Sequence, residues 1–161
     1  MPALAHLGIG FATKRFAPQI PLWALLVSSM VLDGLSFVFI SALWITHGFF
    51  MSIIWTILFI LITTLITYHL KIRKEEQKNL SLFSMEIWNI SIIIGLVVFS
   101  HWILDFIGWP MSAIDANATG VPLLFDDAVN IGLGVYSTWV GALLMDLGVF
   151  AVGLVIYILK K

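Results

Sequence analysis

The sequence predicts an all-α polytopic membrane protein, with four transmembrane helices preceded by a short amino-terminal helix. Hydrophobic residues make up 61% of the 161 residues and charged residues only 11%, whereas a soluble domain has about 25% charged residues. The mean hydropathy is +1.07. Four apolar stretches are long enough to cross a hydrocarbon core of about 30 Å, which takes about 20 helical residues. Without long linkers or internal repeats, residues 1–161 are predicted to form a single domain.

The first predicted element is a short helix within residues 1–17 that ends near Pro18. It is too short to span comfortably, so we expect it to be half-buried or to lie at the membrane interface. Its basic pair, Lys14 and Arg15, follows the apolar part, which is the reverse of the order in a signal peptide. The four predicted spans then cover approximately residues 22–45, 48–69, 85–106 and 131–159.

Two connections are predicted on one side of the bundle. The turn at 46–48 is tight, whereas the connection around 107–130 is too long for a simple turn and contains the helix breakers Pro110, Gly120 and Pro122. Loops of that length commonly cap or line a site.

The basic residues predict the orientation of these helices. All eight Lys and Arg residues lie at 14–15, 71–78 and 160–161. By the positive-inside rule, the amino-terminal flank and the carboxyl terminus are then cytoplasmic, and both connections face outward. The outer connection carries acidic residues, including Asp115 and Asp126, and the inner basic run is expected to lie beside anionic lipid. This distribution argues against a nucleic-acid partner, which requires clustered Lys and Arg.

The acids inside the predicted spans indicate function. Asp33 and Asp146 lie near the middle of the first and fourth spans, where an ionised carboxylate costs about 3 kcal/mol and usually faces a protein interior or a wet cavity. His101 and Asp105 are four residues apart, so a helix places them on one face. This pair is interpreted in three ways: as half of a metal site, as part of a proton relay, or as a polar contact between helices.

Further histidines extend the metal interpretation. His6 and His47 are predicted at depths compatible with His101, whereas His69 is expected at the solvated inner end of the second span. The chain has no cysteine, so any metal must be held by His, Asp or Glu. Fourteen residues separate Asp33 from His47, about 21 Å in a continuous helix, which one ion cannot bridge. A shared site therefore predicts that the first helix bends or ends around residues 34–36.

Four short motifs carry a family resemblance: "AHLGIG", "MVLDGLSF", "ITHGFFMSIIW" and "SHWILDF". Their order over residues 5–106 resembles the YdjM-like family of bacterial inner-membrane proteins, described as membrane-bound metal-dependent hydrolases. The order is also similar to the metal core of zinc-dependent phospholipase C and P1-type nucleases. The resemblance implies a zinc site of one or two ions, in which one ion is bound by four residues and His6 begins a second site with Asp105 as the bridge. The four residues are Asp33, His47, His101 and Asp105.

The chain also departs from these patterns. The second histidine motif is commonly a fuller His-Arg-Gly-x-Thr-His-Ser run, whereas this chain has "THGFFMS". The helical H-x-x-x-E pair that supplies a further zinc has no counterpart, because Ala142 precedes Asp146 by four residues. A third metal is therefore not implied.

Three functions follow as hypotheses. The first is a hydrolase in which metal-activated water attacks a phosphoester of a lipid or lipid-linked substrate, with Asp146 or Asp126 positioning the water or acting as the base. The second is a cation- or proton-coupled transporter that uses Asp33, His101 and Asp146; without an inverted repeat, it requires a homo-oligomer. The third is a non-catalytic scaffold in which the polar residues only hold helices together.

Overall fold

The computed structural model describes residues 4–38, 43–73, 81–82, 84–126 and 128–159, and within these ranges the chain is mostly helical. The short amino-terminal helix is confirmed as α1. The elements in chain order are α1 (Leu4–Phe16), α2 (Leu22–Ser36), α3 (Leu43–His47), α4 (Phe49–Arg73), α5 (Met85–Gly108), β1 (Val121–Pro122), β2 (Asn130–Ile131), a 3-10 turn (Val135–Ser137) and α6 (Trp139–Ile158).

Three of the helices, α4, α5 and α6, are long and apolar enough to cross a membrane. The first predicted span, 22–45, is not seen as one helix of spanning length. Its helix α2 has 15 residues and ends at Ser36, and Val38 donates a backbone hydrogen bond to Leu35 in a turn. Residues 39–42 lie outside the described ranges, and α3 follows them. A count of four spans is therefore not confirmed, but the predicted end of the helix after Asp33 is.

The fourth predicted span, 131–159, begins later than expected, at Trp139. The hydropathy of this stretch is continuous, but Asn130–Ile131 pairs with β1 in a short antiparallel ladder. Gly134 then turns the chain at a φ of 71°, a value that favours glycine. The hydroxyl of Thr138 accepts a hydrogen bond of 3.0 Å from the backbone amide three residues on, which starts α6 with a side-chain cap.

Helix α5 packs against α4, α2 and α1. Helix α1 in turn packs against α2 and lies along α6. One apolar core joins α2 to α5 through Leu25, Ile94 and Val97. A second core, which includes Trp109 and Tyr136, lies under the outer connection. The connection is thereby attached to the end of the bundle where α5 terminates.

The described basic side chains lie at the opposite end. Arg15 donates to the carbonyl of Leu159 at the end of α6, at 3.3 Å, and Lys71 forms an ion pair with Glu86 at the start of α5. Lys14 donates to the carbonyl of Ile20 at 2.7 Å. The remaining predicted inner-face residues, at 74–80 and 160–161, are outside the described ranges, as is 127 in the outer connection.

Close approach of α1 to α6 gives a test of this packing. A Cβ atom added at Gly8 would lie 2.8 Å from the carbonyl carbon of Val149 and 2.9 Å from Cα of Phe150, whereas one added at Gly148 meets nothing within 4 Å. We expect Gly8→Ala to destabilise the protein by about 1–3 kcal/mol through overpacking against backbone. The measurement is thermal unfolding in detergent.

Gly148→Ala is the matched control, because it adds the same methyl group on the open face of α6. It should leave the unfolding temperature unchanged or raise it, since alanine favours a helix by about 1 kcal/mol over glycine. Equal destabilisation by the two variants would contradict the helix pairing described here.

Candidate metal centre

Four side chains from three helices meet at the end of the bundle opposite the basic residues. Asp33 lies in the last turn of α2, His47 is the last residue of α3, and His101 and Asp105 occupy successive turns of α5. Their side chains are between 0% and 12% exposed. Because α2 ends soon after Asp33, the chain can return to place His47 beside it, so the 21 Å separation of a continuous helix does not arise.

The distances among these side chains form a compact set. Nε2 of His47 lies 3.5 Å from Oδ1 of Asp33 and 3.5 Å from Oδ2 of Asp105. Nε2 of His101 lies 3.6 Å from the same Asp33 oxygen and 3.4 Å from the same Asp105 oxygen. Each imidazole nitrogen therefore faces both carboxylates.

These separations fit a metal site better than hydrogen bonding. An N–H···O hydrogen bond has a typical length of about 2.9 Å. In a tetrahedral zinc site with ligands at about 2.1 Å, neighbouring ligand atoms are about 3.4 Å apart. The four nitrogen–oxygen separations, 3.4 to 3.6 Å, lie close to that distance between neighbouring ligands. A purely adhesive contact between helices would be expected to close to hydrogen-bond length.

In both His47 and His101, the second ring nitrogen, Nδ1, has a hydrogen-bond partner. Nδ1 of His101 lies 2.9 Å from the backbone carbonyl oxygen of Ser29; since a carbonyl only accepts, Nδ1 carries the proton and donates. In a neutral imidazole this leaves Nε2 with its lone pair, the form that binds a metal. Nδ1 of His47 likewise lies 2.7 Å from the hydroxyl of Thr46.

Several atoms that face the centre have no hydrogen-bond partner. Among the described residues these buried atoms include Nε2 of His47, Nε2 of His101 and Oδ2 of Asp105. An unsatisfied buried polar atom costs about 1–3 kcal/mol. All three also belong to the set whose nitrogen–oxygen separations are 3.4 to 3.6 Å. One cation at their centre would satisfy them together, so the donor set fits a metal ion.

Charge supports the same assignment. Asp33 and Asp105 are buried carboxylates, and in the described ranges the ion-pair contacts recorded for them are with histidines, not with Lys or Arg. Two buried negative charges need compensation. A divalent cation with neutral imidazoles compensates them completely.

His6 extends the cluster through the second oxygen of Asp105. Its Nε2 lies 3.6 Å from Oδ1 of Asp105, while Oδ2 faces His47 and His101. The ring of His6 is stacked on that of His101, with centroids 3.8 Å apart and planes inclined by 6°. Two overlapping groups can therefore hold a metal ion, one of His47, His101 and Asp105 and one of His6, Asp33 and His101.

The outer connection closes over this centre. The ring of Trp109 lies 6.4 Å from that of His47, and Tyr136 is 2% exposed and packs against Gly108 at the end of α5. Burial raises the pKa of Tyr136, and the carboxylates of Asp146 and Asp105 raise it further. Tyr136 therefore stays a neutral phenol that can donate a hydrogen bond. Sequence reasoning did not single it out, because it lay within an apolar stretch interpreted as a span.

The two acids predicted as general bases occupy other environments. Oδ1 of Asp146 accepts a 2.8 Å hydrogen bond from the backbone amide of Ala5. A carboxylate in this position stabilises the amino-terminal end of α1 and thereby holds the neighbouring His6 in place. Asp126 is exposed, and its Oδ1 accepts from the backbone amide of Ala128 at 3.1 Å. In the described part of the chain, Asp126 has no recorded contact with the cluster, so its role as a base stays a prediction.

Comparison of this chain with protein-family models, with curated proteins and with solved structures found no match. The family resemblance carried by the four motifs therefore stays a prediction, and the case for the site rests on its geometry.

Replacing a ligand tests the metal assignment directly. We expect Asp33→Asn and His101→Ala to weaken zinc binding by more than about 100-fold, because loss of a partner behind a ligand alone costs 10- to 100-fold. Asparagine keeps the shape of aspartate and one acceptor oxygen, so a merely adhesive Asp33 would tolerate it. The measurement is metal content by elemental analysis together with competition against a zinc chelator.

His69→Ala is the control, since this histidine is exposed near the end of α4 and should leave zinc binding unchanged. Unaltered zinc content in both Asp33→Asn and His101→Ala would remove the proposed centre.

Proposed function

We propose that this protein is a membrane-bound metal-dependent hydrolase that acts on a phosphoester of a lipid or lipid-linked substrate. The observation that carries the proposal is the convergence of two imidazole nitrogens and two carboxylate oxygens at nitrogen–oxygen separations of 3.4 to 3.6 Å in a buried centre. The motif order of the sequence agrees with this assignment. Water and a phosphodiester would yield a phosphomonoester and an alcohol.

Zinc is the proposed metal. A donor set of nitrogen and oxygen without sulfur accepts zinc, manganese or iron(II), and nitrogen–oxygen separations of 3.4 to 3.6 Å, close to the spacing of neighbouring zinc ligands, favour zinc among these. When bound, zinc lowers the pKa of a coordinated water towards 7 and polarises a phosphoryl oxygen.

The number of ligands bears on where substrate can bind. Three protein ligands around one ion leave a position open for water or substrate, as in catalytic zinc sites, whereas structural sites are closed by four ligands. Each of the two groups, His47 with His101 and Asp105, and His6 with Asp33 and His101, offers three ligands. Either group would therefore leave room for water and substrate, and the Asp105 carboxylate, which faces His6 with one oxygen and His47 with the other, would connect the two.

The residues around the centre have complementary roles in this scheme. Ser29 and Thr46 orient the two imidazoles from behind, and Asp146 positions His6 through the end of α1. Tyr136 and Trp109 cover the centre and limit access of bulk water. Substrate would enter laterally, from the lipid.

The membrane orientation is also part of the proposal. The described basic residues lie at one end of the helices and the His/Asp cluster lies at the other. Because basic residues favour the cytoplasmic face, the centre would face outward, near the outer leaflet. This placement agrees with a lipid phosphoester as substrate.

Turnover of a phosphodiester tests the proposal. Zinc-loaded protein in detergent should release a phosphomonoester from a long-chain phospholipid, and removing zinc with a chelator should abolish the activity until zinc is restored. His101→Ala should lower kcat/KM by at least about 1000-fold, the scale of losing a charge-stabilising group at a reacting phosphoryl centre. The readout is the rate of product formation, with His69→Ala as the control.

The same preparation separates the hydrolase from the transporter hypothesis. Zinc flux into liposomes without product formation would favour transport and overturn the hydrolase. Product formation without flux would support it.

A further inference from the structure

A groove runs along the surface of the bundle between α2 and α4, floored by α5. Both helices pack on α5, and the space between them has a volume of about 350 Å³. Its walls include Trp23 and Val27 from α2 and Ile62 and Ile66 from α4, and Ile94 lies on its floor. The lining is almost entirely hydrocarbon.

The groove leads towards the candidate metal centre. Its lining includes Ser28, and the next residue, Ser29, holds His101 through its backbone carbonyl. Asp33 follows about one turn further along the same helix. The first half of α2 therefore forms one wall of the groove, and its second half contributes Asp33 to the metal centre.

The distance from the centre to the inner end of the groove matches the length of a lipid chain. From Asp33 down to Leu22, at the start of α2, there are eleven residues, or about 16 Å of helix, and the groove occupies the part from Ser28 downwards. One leaflet of a bilayer has a hydrocarbon depth of about 15 Å, half of the 30 Å core. A phosphoester at the centre thus places the beginning of its acyl chain between Asp33 and Ser28 and the chain's end near Leu22.

We propose that this groove binds one acyl chain of a diacyl phospholipid whose phosphoester lies at the His/Asp centre. The proposal rests on the proposed hydrolase function and names its substrate class. The groove is walled on one side by α4 and floored by α5, and both of these helices are long and apolar enough to cross a membrane, so its occupant comes from the hydrocarbon of the bilayer rather than from water. A chain held along α2 would fix the distance between the phosphoester and the cluster, which is the positioning that the chemistry requires.

The first test maps lipid contacts and needs no turnover. Protein is placed in phosphatidylcholine vesicles that contain a phospholipid with a photoreactive diazirine at mid-chain, and the labelled peptides are identified by mass spectrometry. Labelling of the groove walls, 20–28 and 59–70, should exceed labelling of the exposed face of α6 by at least tenfold. Equal labelling of all exposed faces would mean ordinary surrounding lipid and would overturn the proposal, and so would the absence of labelled peptides from the groove walls, which would indicate that a second copy covers the groove.

A matched pair of variants sharpens this result. Val27 lines the groove and is 59% exposed. Val155 on α6 is 52% exposed and does not line this groove. Val27→Trp should reduce labelling of the groove at least fivefold, whereas Val155→Trp should not. Loss of labelling in both variants would contradict a specific chain site.

The kinetic readout separates this inference from the proposed function. The ratio of kcat/KM for a long-chain phospholipid to kcat/KM for bis(p-nitrophenyl) phosphate, which has no chain, should fall at least tenfold in Val27→Trp and stay constant in Val155→Trp. An unchanged ratio in an active enzyme would overturn the groove alone. Absence of turnover with both substrates in zinc-loaded wild-type protein would overturn the hydrolase, and the assignment of the groove to a substrate with it.

Discussion

The burial of two carboxylates among imidazoles is the constraint on which the rest of this structure depends. Asp33 and Asp105 lie in an apolar bundle and face histidines, with no recorded Lys or Arg partner in the described ranges. Bringing these charges out of water costs several kcal/mol for each ion unless compensation is supplied. The separations of 3.4 to 3.6 Å are too long for good hydrogen bonds and match ligands around a shared ion. At this centre an apolar fold therefore tolerates the unfavourable free energy of desolvating two carboxylates, which is typical of a functional site rather than of an adhesive contact.

The surrounding fold can be understood as the means of assembling that centre. Helix α2 stops at Ser36, which allows His47 to return beside Asp33. Helix α5 supplies His101 and Asp105 from one face, and α1 brings His6 against them. Asp146, predicted from the sequence to position water or act as the base, accepts a hydrogen bond from the backbone amide of Ala5 in α1. An acid in an apolar helix can therefore serve a site indirectly, by holding the element that carries a ligand.

The site also explains why the outer connection is long. Its hairpin, its 3-10 turn and the side chains of Trp109 and Tyr136 form a small core over the end of α5. Because the residues before Trp139 belong to this hairpin, turn and core, α6 begins at Trp139 and not at the predicted residue 131. Hydropathy cannot distinguish these cases, because the residues of a transmembrane helix and those of an apolar loop packed on the end of a helix bundle are equally apolar.

Composition and helical spacing were enough to predict the helical class, the apolar character of the long helices, and the residues able to bind a metal. If Asp33 and His47 share a site, spacing also predicts that the first helix ends after Asp33, because ligands about 21 Å apart cannot share an ion. These conclusions follow from composition and helical spacing, which are local properties of the chain. Only the tertiary structure decided that the Asp105 carboxylate faces His6 with one oxygen and His47 and His101 with the other, and that the carbonyl of Ser29 orients His101. A backbone carbonyl is present at every residue, so its role depends on how two helices pack, and packing is set by contacts between residues far apart in the chain.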